Sequence, residues 1–263
     1  MKSISSSQNP LVKQLRKLSQ AKGRREQQRF LIEGTHQVEA AIQVGYPLQL
    51  VCATLDWQST YGALWQTLEG LNVETVSVTA SVLKAIATTV NPDGVVAVGQ
   101  TRQRAAQPLR PSLGLAVEAL QDPGNLGSLI RTGAAAAIDG LWLSADSVDL
   151  ENPKVLRASA GQWFQLPVAV CPDLIAQGHR WQQDGIQLVA TALDAPLSYW
   201  QLDLQKPTVI LLGNEGAGLS SALSTLATHR VKIPMAAAVE SLNVAIAAAL
   251  MLYEAQRQRG FSG

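Results

Sequence analysis

Cysteine is nearly absent: Cys52 and Cys171 are the only two among 263 residues, far apart and each within an apolar run. They provide neither a metal-ligand spacing nor a disulfide framework, so buried free thiols in a reducing cytosol are expected. Long apolar runs are missing too. The longest near the end, VAIAAALML (244–252), is far shorter than the ~20 residues of a membrane span. The opening MKSISSSQNP has no apolar core of a secretory signal. A cytoplasmic protein is therefore the default expectation. An excess of one charge is also lacking, with 21 Lys and Arg against 20 Asp and Glu, which excludes a uniformly basic nucleic-acid coat. The balance is uneven, however. Residues 1–29 hold eight cations (Lys2, Lys13, Arg16, Lys17, Lys22, Arg24, Arg25, Arg29) against Glu26 alone, so the other 234 residues carry a net −6. A basic end on a near-neutral chain points towards RNA or DNA.

What is present is an alternation of apolar strands with helices. Asn9-Pro10 starts a helix, Asn as the cap and Pro at the first helical position, with Leu11, Leu15 and Leu18 on one face and Lys13, Arg16 and Lys17 off it. Those cations read equally as a solvated surface or as a phosphate-contacting arm. HQVEAAIQVG reads as a helix ending at Gly45, LQLVCA as a strand, YGALWQTLEG as a helix, VETVSV as a strand, ASVLKAIATT as a helix capped by Thr79, and GVVAVG as a strand. QTRQRAAQPLRPS (100–112) breaks the pattern and reads as a linker. The division expected is 1–102, a linker at 103–112, and 113–263. In the second half LGLAVEAL, LWLSA, PVAV, IQLVATA, TVILLG and RVKIP read as strands. Near-continuous apolar strands separated by helices signal a parallel sheet covered on both faces, where ligands bind beyond the carboxyl ends of the strands.

Three of those strands lead into unusual loops: QDPGNLGSLIRTG (121–133), GNEGAGLSS (213–221) and MAAAVESLNVAIAAALMLYEAQRQ (235–258). Parallel strands would gather all three at one sheet edge. None contains a Lys, so a P-loop is excluded. Gly213, Gly216 and Gly218 run G-x-x-G-x-G rather than the dinucleotide order, and no acid follows at the usual distance. A ligand with little phosphate, such as S-adenosylmethionine, fits; so does a glycine turn with no ligand.

The ordered set resembles the three motifs of the SpoU (TrmH-like) RNA 2′-O-ribose methyltransferases of the SPOUT superfamily. The matching text is DPGNLGSLIRTG, GNEGAGLS and IPMAAAVESLNVAIAAALMLYEA, with NPKVLRASAGQWFQLPV (152–168) between them. The beginning, ISSSQNPLVKQLRKL to FLIEGTHQVEAAI, is similar to the family's N-terminal substrate-binding domain. One departure is Asp93 in VNPDGVVAV (90–98), where many relatives have Gln. The resemblance implies an α/β fold: a C-terminal SPOUT domain with a parallel sheet and a deep trefoil knot, after a smaller L30/L7Ae-like α/β domain. It implies a homodimer packed through the knotted domain. S-adenosylmethionine would be held by Thr191, Ala192, Gly213, Asn214, Ile233, Met235 and Leu242. The catalytic set would be Asn125, Arg131, Glu215, Ser241 and Asn243, with no metal.

Each of these residues also has a plain structural reading. Asn125, Ser241 and Asn243 stand at helix starts, where such residues cap. Glu215 is either a turn acid bonding backbone N–H groups or a partner of Arg131 or of a partner-subunit Arg. Arg131 would grip the target phosphate and stabilise the 2′-oxyanion, with a general-base role as the second option. Arg157 and Ser159 face RNA or serve structure. His36, His179 and His229 do not cluster with carboxylates. The expected activity is methyl transfer to a ribose 2′-OH of RNA, with rRNA preferred over tRNA because no basic extension follows Gly263. The alternatives are an inactive RNA-binding protein on the same scaffold and, remotely, a dinucleotide oxidoreductase.

Overall fold

The computed structural model describes residues 2–71, 73–101 and 110–260. The chain forms two compact units, one comprising Met1–Gln103 with Asp149–Gln165 and the other Arg104–Val148 with Leu166–Gly263. The expected linker, 103–112, lies for the most part outside the described residues.

The first unit is built from β1 (Lys2–Ile4), α1 (Pro10–Arg16), α2 (Ala21–Gln27), β2 (Arg29–Glu33), α3 (Thr35–Gln43), β3 (Leu48–Ala53), α4 (Leu55–Thr60), α5 (Gly62–Gly70), β4 (Glu74–Val78), α6 (Ala80–Ile86) and β5 (Val95–Gln100). Its sheet order is β1-β4-β3-β5-β2. The first three strands run parallel, whereas β5 is antiparallel to both β3 and β2. Asn9 caps α1 by accepting from the Leu11 N–H, and Thr79 caps α6 by accepting from Val82. Val12, Leu15 and Leu18 bury their side chains against Val82, Leu83 and Ile86 in one cluster with β2–β5. Asp93, the departure from the family text, serves the fold. Its carboxylate accepts from the Thr35 N–H at 2.7 Å and the Thr35 hydroxyl at 2.9 Å, capping the start of α3.

The second unit opens with β6 (Leu113–Val117), α7 (Pro123–Ala135) and β7 (Gly140–Ser144). The chain then departs to supply α8 (Pro153–Ala158) to the first unit and returns as β8 (Val168–Cys171), α9 (Leu174–Gln183), β9 (Gln187–Thr191), β10 (Leu197–Ser198), β11 (Thr208–Leu212), α10 (Ser221–Leu226), β12 (His229–Lys232) and α11 (Val244–Gln258). The sheet order is β10-β12-β9-β11-β6-β7-β8 and every pairing is parallel. β6 and β11 are buried at every position, as their unbroken apolar text requires. Among the described residues no helix is long and apolar enough to cross a membrane.

The departing segment differs from the division expected at 113. Asp149 takes a charge-assisted bond from the Arg24 Nε at 2.8 Å, and Arg157 Nη1 reaches Glu33 at 2.8 Å and the Thr88 hydroxyl at 2.7 Å. Arg24 and Glu33 are each about 3% exposed at the side chain, so each buried charge is matched, as burial demands. Arg157 therefore has the structural of its two readings. Ser159 is likewise buried, bonding the Leu156 carbonyl.

Candidate active site

The all-parallel sheet puts the carboxyl ends of β6, β9, β11 and β12 on one edge, and three loops close over it. The first, 118–122, turns at Ala119, which adopts a left-handed φ of 52°. A residue with a Cβ sits there only when its surroundings over-determine it. They do so here: the Ala119 N–H donates to Ser144 at 2.7 Å, and its carbonyl accepts from Asn214 Nδ2 at 2.8 Å and Gln121 Nε2 at 3.0 Å. Pro123 then opens α7, with Asp122 as N-cap accepting from the Asn125 N–H at 2.8 Å.

The second loop folds on itself. Asn214 and Gly218 exchange backbone bonds, and Asn214 Oδ1 accepts from the Gly216 and Ala217 N–H groups. The strand exit passes so near the returning chain that a Cβ on Gly213 would lie 2.0 Å from the Gly218 carbonyl carbon. Glycine stands at 213 because the backbone there closes against its own loop. Glu118 fastens the far end by accepting from the Ser220 N–H at 2.7 Å. The third segment, 233–243, ends at Asn243, which caps α11 by accepting from Ala245 and Ile246. α11 packs along α7 and is tied to it by Gln256, which donates to the Ala136 carbonyl.

These loops are joined side chain to side chain. Asn243 Nδ2 donates to Asn125 Oδ1 at 2.9 Å, and Asn125 Nδ2 donates to Glu215 Oε1 at 3.0 Å. Each amide is fixed in orientation by the groups at its two ends. The carboxylate also accepts from the Gln121 and Asp122 N–H groups, both at 3.4 Å. Burial works against ionisation of Glu215, but the Asn125 amide and the backbone donors of Glu215, Asp122 and Gln121 outweigh it and hold the carboxyl below its ordinary range. Sequence reading foresaw each of the three residues and the turn-acid option for Glu215; it did not foresee that they touch in series.

Arg131 is placed differently. It is exposed and its side chain makes no hydrogen bond or ion pair with the described residues. It lies six residues beyond Asn125 on α7, about 240° further round an ideal helix. The pairing of Glu215 with Arg131 weighed from sequence is therefore not made within the chain.

Behind the joined loops is a cavity of about 430 Å³. All seven residues expected to hold a cofactor, Thr191, Ala192, Gly213, Asn214, Ile233, Met235 and Leu242, line it, together with Glu215 and Ser241. Asn125, Arg131 and Asn243 are not among its walls. Sequence reading missed Arg230, whose Nη2 is 2.6 Å from Asp194 and which also lines the cavity; its place in the strand text RVKIP gave no signal. The lining has no Lys, and its one Arg has a carboxylate partner. Apolar walls with loop backbone and few charges suit a nucleoside better than a polyphosphate.

The sequence and the fold agree with known proteins. The MRM3-like substrate binding domain matches residues 9–97, and the SpoU rRNA Methylase family matches residues 112–253. The chain is 47% identical to an uncharacterized tRNA/rRNA methyltransferase of Synechocystis sp., over 98% of this chain and 94% of that protein. It is 31% identical to the 23S rRNA (guanosine(2553)-2'-O)-methyltransferase RlmP of Bacillus subtilis, over 96% of this chain and 98% of that protein. An AdoMet-bound rRNA methyltransferase crystal structure from Sinorhizobium meliloti superposes with a TM-score of 0.88 at 31% identity, covering 100% of this chain and 99% of the other. With that agreement along its length, the chain belongs to the SpoU rRNA methylase family.

Proposed function

We propose that the protein transfers the methyl group of S-adenosylmethionine to a ribose 2′-hydroxyl of ribosomal RNA, in the cytoplasm. The observation that carries this reading is the cavity at the carboxyl edge of β9, β11 and β12, lined by the second and third loops, which the Asn243–Asn125–Glu215 chain joins through the start of α7. Bound there, S-adenosylmethionine supplies an electrophilic methyl on a good leaving group. The protein's own part is then positional. It must hold a 2′-oxygen in line with that methyl, ~3 Å away, and ease loss of its proton. The loops around Thr191, Gly213 and Leu242 would seat the adenosine; Ile233 and Met235 would cover its apolar edge. Asn125, Glu215, Ser241 and Asn243 fix the walls beside the reacting atoms. Arg131, an exposed guanidinium with no partner among the described residues, is suited to an RNA phosphate and the developing oxyanion. The family supports a trefoil knot in this unit, an L30/L7Ae-like character for the first, and the domain boundaries near 102 and 113.

A homodimer is part of the same reading. α11 buries Ala248, Met251, Leu252 and Ala255 yet leaves Ile246 and Tyr253 each 53% exposed, beside Leu250 and Tyr199. A second copy would cover this apolar face. The test is incubation with radiolabelled S-adenosylmethionine and unmodified rRNA, followed by ribose-methyl mapping. The expected product is a single 2′-O-methylnucleotide, absent with Arg131→Ala although that variant still binds the cofactor. Methyl on a base, or an active Arg131→Ala enzyme, contradicts the proposal.

A further inference from the structure

Five of the eight cations of the first 29 residues stand on α1, the turn after it and α2; Lys2 pairs with Glu74 on β4, Arg24 is turned inward and Arg29 opens β2. Lys13, Arg16, Lys17, Lys22 and Arg25 are all exposed. Only Lys22 has an acidic partner among the described residues, Glu26 at 3.8 Å, with the Lys22 side chain still 85% exposed. The inward faces of α1 and of the 3-10 turn Lys17–Ser19 are spent on packing, through Val12, Leu15 and Leu18, so these cations have only the outer side to occupy.

That surface is stiff. α2 crosses the 3-10 turn in backbone contact: a Cβ on Gly23 would lie 2.0 Å from the Lys17 carbonyl oxygen. This sets Lys17 beside the start of α2, with Lys22 next to the point of contact. Gln27 Nε2 donates to the Gln14 carbonyl at 3.1 Å, joining the end of α2 to α1. Arg24 is the one cation of α2 turned inward, and its Nη1 donates to the Leu18 and Ser19 carbonyls while its other nitrogens bind Asp149. Five cations on long side chains are thus carried on a backbone that does not have to be ordered on binding. A solvated helix surface without a partner ordinarily intersperses acids among its cations; here Glu26 is the single acid between Lys2 and Glu33.

We infer that α1, the turn after it and α2 form a phosphate-docking face, which takes the sugar–phosphate backbone of the RNA substrate without reading its sequence. The inference rests on the proposed RNA methyl transfer and adds to it the place where the first unit grips RNA. Phosphate contacts fix register and orientation and carry no base information. They release counterions, so they are read in the salt dependence of binding.

The experiment compares the wild type with a variant carrying Lys13→Gln, Arg16→Gln, Lys17→Gln and Arg25→Gln, all exposed positions. RNA affinity is measured from 50 to 200 mM KCl on a fragment that the wild type methylates and on an unrelated RNA of equal length. Each lost phosphate contact lowers the slope of log affinity against log salt by about 0.7 to 1, so a total fall of about 3 is expected. The KM for RNA should rise at least tenfold, with kcat at saturating RNA and the cofactor Kd unchanged. Affinity for the two RNAs should fall by the same factor. A second variant, Lys13→Arg with Lys17→Arg, should keep the wild-type slope. A matched control, Arg180→Gln with Lys206→Gln, should keep it too. An unchanged slope in the fourfold variant overturns the docking face while leaving the methyltransferase reading intact. A wild type that neither binds nor methylates RNA overturns both. Loss of binding to phosphatidylglycerol vesicles with RNA binding untouched would show the face to be a membrane contact and would also overturn it.

Discussion

At the scale of the residue, the site depends on amides and a carboxylate whose directions are fixed by each other. Glu215 accepts from a side chain and from backbone N–H groups of the first loop, so it holds that loop only while ionised. Its carboxyl is held below the ordinary range; its contribution is therefore fully present above the unfolded-state pKa and is lost as pH falls through the lowered folded value. Cofactor affinity should stay flat through the ordinary carboxyl range and weaken only below it, as titration calorimetry across pH would read. Glu215→Gln should remove that acid limb, and an unchanged limb would assign it elsewhere. Cys52 gives a second prediction. Burial, with a smaller push from Glu74 against the pull of Lys2, raises its thiol to about 12. A thiol reagent at neutral pH should therefore label the half-buried Cys171 first and reach Cys52 only as the first unit unfolds. Residue by residue, the seven positions the family motif suggests for a cofactor all line the cavity, because that motif is a set of chain positions at strand ends; the rest of the lining, Arg230 included, was not read. It could not say that Asn243, Asn125 and Glu215 meet in series, since that depends on two helices lying side by side.

At the scale of the element, most strands buried on both faces were legible, although β2, buried at all but its first position, was not read as one. LQLVCA, TVILL and VVAVGQ are seen as β3, β11 and β5, their unbroken apolar runs leaving no other place for them. Short elements were not. LDWQST forms α4 through the cap that Thr54 gives to Trp57, but a single turn and a half shows no period. The antiparallel course of β5 was equally hidden, because a buried strand reads the same in either direction. The loop after β11 is the element on which the cavity depends most. Gly213→Ala would drive a Cβ into the Gly218 backbone, which cannot yield as a flexible side chain can. The expected result is loss of the thermal shift that S-adenosylmethionine gives the wild type, with the sheet retained by circular dichroism. A preserved shift would mean that the loop closes in some other way.

At the scale of the whole molecule, the chain divides within its polar stretch and also at places where its text does not change. Asp149–Gln165 leaves the sheet unit and folds with the first, anchored by Arg24 on Asp149 and Glu33 on Arg157. No composition shift marks it, because what recruits the segment is a pair of buried charges distant in sequence. Arg157→Gln should cost up to about 3–5 kcal/mol, the usual penalty for leaving a buried charge unmatched, because it strands the Glu33 carboxylate, 3% exposed, and urea unfolding would report it as a lower midpoint. The proposed homodimer is tested at this scale as well. The wild type should sediment as a dimer and Tyr253→Lys, on the exposed apolar face of α11, as a folded monomer; a monomeric wild type contradicts the dimer, and a variant still dimeric would place the interface on another face.

The most direct test is a mutant cycle on the hydrogen-bonded chain that joins the loops. Methyl transfer to rRNA would be timed at saturating cofactor in Asn125→Ala, Glu215→Ala, Asn243→Ala and the triple variant. If the chain acts as one fastening, each single change should slow transfer by about as much as all three together, since groups working as a unit are strongly non-additive. Losses that simply add, or single variants that run at the wild-type rate, would contradict a site assembled by Asn243, Asn125 and Glu215.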